Sequence, residues 1–163
     1  MNDWVTDHPE AVVVLALLWF GAIWTSVSFG IAKLGGWRLL AQRFRFDGMF
    51  TGTVWRWQSG AFRRIASYNG ALIIGANESG IMLTTMFFFR LGHPALFIPW
   101  SEITVQERIS LFGTLVDLKL GLVEQVPFTI RQELGVKLRN AAGSAWPKGV
   151  MQRDTLQAPP PVA

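Results

Sequence analysis

The sequence predicts a mainly β protein that has one N-terminal transmembrane α-helix and a small antiparallel barrel or sandwich capped by a C-terminal helix. Residues 11–32 carry no charge over 22 consecutive positions, and about 20 apolar helical residues span the hydrocarbon core of a bilayer. From about residue 51, short extended runs with a period of two recur every 8 to 12 residues or so, a pattern typical of antiparallel sheets. Residues 131–142 then return to helical spacing.

The charges on the two sides of residues 11–32 predict the orientation of the transmembrane helix. The residues before it include Asp3, Asp7 and Glu10 but no Lys or Arg, and those after it include Lys33, Arg38, Arg43 and Arg45. Because Lys and Arg near the helix ends stay in the cytoplasm, we expect a single-pass protein of the inner (plasma) membrane. Residues 1–10 would lie outside and the domain in the cytoplasm. A cleaved signal peptide is the alternative, but it would need a basic start and a shorter apolar run.

Small residues recur every four positions within the predicted helix, at Ala22, Ser26 and Gly30. Such a stripe lets a second helix approach closely, and nearby hydroxyl groups can form hydrogen bonds across the contact. We therefore expect the helix to contact the lipid bilayer and, through this stripe, either a membrane protein partner or a second copy of the chain.

Residues 33–50 are predicted to form an amphipathic linker next to the membrane. Within it, residues 37–44 place their apolar side chains at helical spacing, with basic residues on the other side. Two placements fit this pattern: a helix lying in the membrane interface, or a helix packed on the domain. In the first placement, Arg38, Arg43 and Arg45 would contact lipid head groups.

Residues 51–142 are predicted to form one β domain. The extended runs are 53–58, 62–67, 71–76, 81–85, 86–90, 96–99, 102–108, 111–120 and 123–130. Asn69 and Gly70 are typical of a tight hairpin turn. In the first run, alternation predicts that Trp55 and Trp57 are buried and that Arg56 points outward, which argues against a nucleic-acid-binding surface.

The end of the chain is predicted to form a helix and then a disordered tail. In residues 131–142, Leu134 and Leu138 lie on one helical stripe, Gly135 weakens the helix, and Gly143 ends it. This helix would close one mouth of a barrel. Residues 143–163 are rich in proline and polar residues, so we expect a disordered tail.

Antiparallel strands followed by one capping helix resemble the pleckstrin-homology-like (PH-like) superfold. The segment 91–103, with Pro99 and Trp100 ahead of Glu102, is similar to a segment of small bacterial single-pass membrane proteins that carry a PH-like (GRAM-like) domain. The resemblance implies a small PH-like barrel that binds lipid, peptide or protein. Phosphoinositide-binding members carry a basic cluster between their first two strands. Here that region offers only Arg56, Arg63 and Arg64, so we do not expect a phosphoinositide site.

The residues that could carry chemistry are few. The chain has no cysteine and two histidines, which excludes disulfides, thiolate metal sites and a histidine metal centre within one chain. Ser101 and Glu102 near His93 offer a nucleophile, an acid and a base, but His93 lies in a predicted turn. We expect Asp117 and Glu124 to be two acidic side chains that face solvent. We therefore expect no enzyme activity, cofactor or metal.

Residues 86–89 contain four consecutive large apolar side chains, which in a strand point to both faces of the sheet. Either both faces are covered, or one face docks a partner. The candidate docking or ligand patch comprises Phe87, Phe88, Phe89, His93 and Trp100. We expect a membrane-anchored, non-catalytic binding module, an adaptor or an accessory subunit of a membrane protein assembly. The alternative is a lipid- or small-ligand-sensing domain that uses the barrel mouth near residues 92–100.

Overall fold

The structure, a computed structural model, describes residues 9–90, 92–110, 113–148 and 150–152. It begins with two helices, α1 (Pro9–Leu34) and α2 (Trp37–Phe44). The window Pro9–Val27 of α1 has a mean hydropathy of 1.9 and is not buried, so α1 is long and apolar enough to cross a membrane. Gly36, with φ 82°, adopts the left-handed conformation that glycine tolerates at a helix junction.

Helix α2 packs against the β domain through its apolar side. Trp37, Leu40 and Phe44 are all buried in the core, because spacings of three and four residues bring side chains to one side of a helix. They lie ahead of residue 51, the predicted start of the domain. Of the two placements predicted for this helix, packing on the domain is the one found.

Seven antiparallel strands form one sheet that curls into a half-barrel. They are β1 (Thr53–Phe62), β2 (Ala66–Ala76), β3 (Gly80–Thr85), β4 (Leu96–Pro99), β5 (Ile103–Ser110), β6 (Gly113–Leu120) and β7 (Val126–Arg131). Their order is β4-β3-β2-β1-β7-β6-β5. Strand β7 closes back onto β1 through two register pairs, Ala61 with Thr129 and Phe62 with Phe128. The prediction of a mainly β chain with antiparallel strands is confirmed.

Helix α3 (Gln132–Ala142) follows β7 and packs against β2, β6 and β7. It buries Leu134, Leu138 and Ala142, as its predicted stripe requires. A Cβ atom at Gly135 would lie 2.7 Å from Cγ2 of Val116. The glycine that weakens the helix in isolation therefore allows the helix to approach β6 closely.

Three connections lie at the end of the sheet from which α1 emerges, here called the helix-proximal end. They are the β1–β2 turn (63–65), the β3–β4 connection (86–90 and 92–95 as described) and the β6–β7 turn (121–125). The Arg63 backbone N–H donates to the Pro127 carbonyl at 2.8 Å, which joins the first turn to the start of β7. A Cβ on Gly36 would lie 3.0 Å from Nε of Arg63, so this turn also adjoins the junction of α1 and α2.

The predicted hairpin turn at Asn69 and Gly70 is wrong. Asn69 and Gly70 lie inside β2, where the register shifts against β1 and the Ser59 hydroxyl accepts the Gly70 N–H at 2.9 Å. They form a bulge, and the chain reverses instead at residues 63–65, with Arg63 and Arg64 at positive φ.

The run of phenylalanines also departs from its predicted extended form. Strand β3 ends at Thr85, and Phe87–Phe89 forms a 3₁₀ turn in which Phe89 N–H donates to the Met86 carbonyl at 2.9 Å. A turn does not present alternate side chains to two faces of a sheet, so the question of a two-sided strand does not arise.

The predicted disordered tail differs in its first part. Gly143–Ala145 forms a 3₁₀ turn, Trp146 packs against Trp100 at a ring-centroid distance of 5.3 Å, and β8 (Val150–Gln152) pairs in parallel with β5. The tail is held here because β5 offers a free edge for pairing. The rest of the prediction, residues 153–163, lies outside the described residues, as do residues 1–8.

Candidate functional site

Aromatic side chains fill the interior of the half-barrel at the helix-proximal end. Trp37 of α2 packs edge-on against His93 with ring centroids 5.1 Å apart, and Phe62 stacks on Phe128 at 4.4 Å. Tyr68 contacts His93 from the side of β2. Because α2 places the Trp37 indole in this space, Trp37 and His93 of the mouth that was predicted as a ligand site are buried against each other.

Two hydrogen bonds fix this aromatic cluster. The Tyr68 hydroxyl and His93 Nε2 lie 2.7 Å apart, and Trp37 Nε1 donates to the Pro94 carbonyl at 2.9 Å. Burial raises the pKa of Tyr68, because removing the phenolate from water disfavours the charged form. The phenol therefore stays protonated at neutral pH, which suits a structural link between α2, β2 and the β3–β4 connection.

The four residues of the predicted docking patch whose side chains are described do not form one site. Phe87 is exposed, Phe89 lies against Trp24 of α1 with ring centroids 5.2 Å apart, and His93 is buried. Trp100 is buried elsewhere, with its Nε1 donating to the Asn77 carbonyl at 2.7 Å. The side chain of Phe88 lies outside the described residues. Of the patch, only Phe87 offers a large described apolar surface to a partner.

The acidic candidates Glu102 and Asp117 are both held by other groups. Glu102 pairs with Arg43 at 2.6 Å and also accepts the Leu122 N–H at 3.1 Å. Asp117 pairs with Arg108 at 3.1 Å and accepts the Thr129 hydroxyl at 2.5 Å. Within the part of the chain that the structure describes, no group of three or more acidic or histidine side chains could hold a metal ion.

The small-residue stripe of α1 lies on an open side of the helix. Ala22 and Ser26 are exposed, and nothing lies within 4 Å of a Cβ built on Gly30. The Ser26 hydroxyl donates to the Ala22 carbonyl at 2.8 Å within the helix. The stripe is therefore free of the β domain, and helix packing through it stays a prediction.

The three predicted membrane-surface arginines have different surroundings. Arg43 bridges Glu102 and, at 3.7 Å, Glu124, so it joins α2 to two neighbouring segments of the domain. Arg45 pairs with Asp47 at 3.1 Å in an exposed loop, and Arg38 is exposed. Arg43 therefore has a structural role, whereas contact of the three with head groups stays a prediction.

Trp57 is a surface residue that the alternation pattern assigned to the core. The register runs from Trp55 opposite Ile74 to Gln58 opposite Leu72, so β1 carries one extra residue there. This bulge changes the parity of the inward positions, which become Gln58, Gly60 and Phe62. Trp57 is consequently 68% exposed, with φ 58°. The prediction of a buried Trp57 is wrong. No local pattern in the sequence predicts the bulge.

The backbone at Trp57 is unusual for its residue type. A bulky side chain at positive φ is sterically disfavoured, and such conformations concentrate at functional sites. Beside Trp57 lies a shallow cavity of about 200 Å³ that is also lined by Arg131, Glu133 and Leu134. Arg131 ends β7, whose other end begins at the helix-proximal turn, so Trp57 faces away from the helix junction.

A second concave surface lies on the outer face of β5, β6 and β7. It has a volume of about 500 Å³ and includes Arg63, Arg64, Lys119, Thr104 and Thr129. Its carboxylate, Asp117, is already paired with Arg108. The remaining charges are basic, which would favour an anionic ligand.

No protein-family model matches this sequence, and no curated protein matches it either. What the chain binds therefore has to be inferred from its own surfaces, of which the Trp57 bulge and the outer groove have just been described.

Proposed function

We propose that the chain is a membrane-anchored, non-catalytic binding module, an adaptor or accessory subunit that holds a protein partner at the membrane. In this proposal α1 crosses the inner membrane once, with residues 1–10 outside and the β domain in the cytoplasm. The apolar length of α1 and the basic residues after it, Lys33 and Arg38, support this orientation. The partner is a membrane protein, or a second copy that packs through Ala22, Ser26 and Gly30.

The domain is proposed to be PH-like. Seven antiparallel strands in the order β4-β3-β2-β1-β7-β6-β5, followed by a helix that packs against β2, β6 and β7, support this proposal. The superfold serves the binding of lipids, peptides and proteins alike, so the choice among these rests on the surface of this chain.

Exposed Trp57 is the observation that favours a protein partner. Tryptophan is enriched among the few residues that carry most of the binding energy of interfaces. A Trp held outward by a bulge, beside a shallow cavity and away from α1, can insert into a partner without moving the fold. We therefore assign the partner-binding surface to β1 and the start of α3.

Exchange of Trp57 tests this function. The tagged full-length chain is solubilised from native membranes in a mild detergent, and proteins recovered at near-equal amount are identified. A central interface Trp contributes about 2 kcal/mol or more, so Trp57→Ala should weaken partner binding about 30-fold or more. Ile109→Ala is the matched control, because Ile109 is 60% exposed on β5 and its loss should leave binding unchanged.

Two outcomes count against the proposal. If the partner is recovered equally with Trp57→Ala, the partner does not use the bulge. If the wild-type chain is recovered alone, it has no stoichiometric partner under these conditions, and the adaptor role fails.

The outer groove supports the alternative, a lipid- or small-ligand-sensing domain. Its basic lining and volume of about 500 Å³ suit an anionic head group or small anion better than the mouth does, since Trp37 fills the mouth. A ligand that binds the folded state raises its melting temperature. A shift with lipid extract that is lost in Lys119→Gln, together with recovery of the chain alone, would favour this alternative.

A further inference from the structure

The far end of the sheet, opposite the helix-proximal end, carries two adjoining concave surfaces. The cavity beside Trp57 shares Arg131 and Glu133 with a wider one of about 530 Å³, which Gly113 and Thr114 also line. Together they form one groove, here called the far-end groove, which runs from the start of β6 past the start of α3 to β1. The partner-binding surface assigned above is therefore one end of a longer groove.

Strand β8 directs the end of the chain toward this groove. It pairs in parallel with β5, and its last residue, Gln152, lies opposite Arg108. Strand β5 runs toward its connection with β6. Because β8 has the same direction, the chain that follows Gln152 sets out toward the far end of the sheet.

The length of chain after β8 matches the distance across the sheet to Trp57. Arg108 pairs with Leu115 of β6, Leu115 pairs with Arg131 of β7, and β1 is the next strand. Adjacent strands lie about 4.8 Å apart, so the four spacings from β8 to β1 amount to about 19 Å. Pro159 follows Gln152 by seven positions, which cover about 22 Å in an extended chain with a rise of about 3.1 Å per residue.

The sequence that reaches this distance has the chemistry to bind a tryptophan. Residues 159–161 are three consecutive prolines, which favour an extended polyproline II helix without internal hydrogen bonds. Aromatic surfaces bind such segments because the segment is already ordered and its carbonyl groups are free to accept hydrogen bonds. Trp57 offers an exposed ring and an indole N–H that can donate to one of these carbonyls.

We propose that residues 153–161 cross the far-end groove and place prolines 159–161 on the Trp57 indole of the same chain. The tail is then an intramolecular strap that covers the partner-binding surface. Partner and strap compete for Trp57, so the partner binds only when the strap leaves. The competition rests on the proposed function, whereas the contact between the tail and Trp57 does not.

The short connection to β8 makes a weak contact sufficient for this role. A segment tethered by a few residues acts at an effective concentration on the order of 1 mM, so a contact of modest affinity keeps it bound much of the time. The apparent affinity for a competitor falls in proportion to the fraction of open chains. We therefore expect the strap to weaken partner binding several-fold.

Contact quenching of a fluorophore by tryptophan tests the strap in the full-length chain. The chain has no cysteine, so Val162→Cys can carry a single oxazine dye, which tryptophan quenches only on close contact. Each chain is placed alone in a nanodisc, so that a second copy cannot supply the tryptophan. Trp57→Phe should raise the emission about two-fold or more, because the tethered segment lies near residue 57 much of the time.

Two further variants show whether the quenching comes from the proposed contact. Trp19→Phe is the matched control, because Trp19 is 70% exposed on α1, away from the groove, and its replacement should leave the emission unchanged. Replacing the prolines together, as Pro159→Gly, Pro160→Ser and Pro161→Gly, should raise the emission as Trp57→Phe does. An emission that neither Trp57→Phe nor the proline replacement raises would overturn the contact. Quenching that appears only with two chains per nanodisc would overturn the intramolecular strap.

The same proline replacement tests competition with the partner recovered by pull-down. It should raise the affinity for that partner several-fold when Trp57 is present and have no effect in a chain that carries Trp57→Ala. Relieved quenching without a change in partner affinity would overturn the competition and leave the strap intact. Partner binding that is lost in Trp57→Ala, in a chain whose dye Trp57 does not quench, would overturn the strap and leave the proposed function standing.

Discussion

Tyr68 makes the packing of the aromatic cluster measurable, because it is the only tyrosine of the chain. Burial raises the pKa of its phenol, which forms a hydrogen bond with buried His93. We expect tyrosinate absorbance of the folded chain to appear well above the pH of about 10 that is typical of a free tyrosine. In denaturant the same absorbance should appear near about pH 10. Tyrosinate forming near pH 10 in the folded chain would contradict the described packing.

The raised pKa also predicts how stability depends on pH. Between the pKa of the unfolded phenol and that of the folded phenol, the folded state binds the extra proton, so its stability falls as pH rises above about 10. In Tyr68→Phe this contribution is absent. The variant should be less stable than the wild type by about 1–3 kcal/mol at neutral pH, because the hydrogen bond with buried His93 is lost. Unfolding measured at neutral and alkaline pH should show that this difference narrows above about pH 10.

Single residues show where sequence reasoning stops. His93 stands between Gly92 and Pro94, a setting that indicates a surface turn, yet it is 1% exposed because Trp37, more than fifty positions earlier, packs on it. Trp57 follows the alternation of a buried face and is outside because of one extra residue in β1. Both errors arise from long-range partners, whereas propensity and periodicity report on near neighbours.

At the scale of the element, α2 offers a direct test, because adjacent leucines of one helix have opposite environments. Leu40 is fully buried in the core, whereas Leu39 is 38% exposed. Leu40→Ala should destabilise the folded chain by about 2–5 kcal/mol, since it removes buried methyl groups and leaves a cavity. Leu39→Ala should change stability by about 0.5 kcal/mol or less.

Chemical unfolding of the detergent-solubilised chain measures both variants under the same conditions. If α2 lay in the membrane interface instead, the two substitutions would have similar and small effects on the β domain. Equal loss in both variants would therefore contradict the packing of α2 described above.

Elements were easier to predict than the way they pack. Most strand bounds were predicted to within a few residues, because turn residues and alternation act locally. The amphipathic pattern of α2 was visible too, but an apolar stripe packs equally well on lipid or on protein. Trp37 packs against Phe62 and His93, and these contacts hold α2 on the protein. The sequence of α2 itself does not indicate them.

At the scale of the whole molecule, exposed apolar residues lie at two ends of the domain, and the sequence predicted only some of them. The run of phenylalanines predicted an apolar patch, and Phe87 is exposed. Ile65 and Val123 are exposed as well. They lie in turns that are far apart in sequence and adjacent only because β7 pairs with β1. The orientation of α1 decides whether Trp57 faces the cytoplasm, as the proposed function requires.

Topology labelling with a membrane-impermeant maleimide decides that orientation. In intact cells, Trp4→Cys should react and Asn140→Cys, at an exposed position of α3, should react only after permeabilisation, because basic residues after α1 hold the domain in the cytoplasm. The reverse pattern would put the domain outside, and Trp57 would then face the wrong compartment. Loss of residue 4 from the mature chain would instead reveal cleavage of a leader. Cleavage at the end of the uncharged run of residues 11–32 would also remove the contact of Trp24 with Phe89.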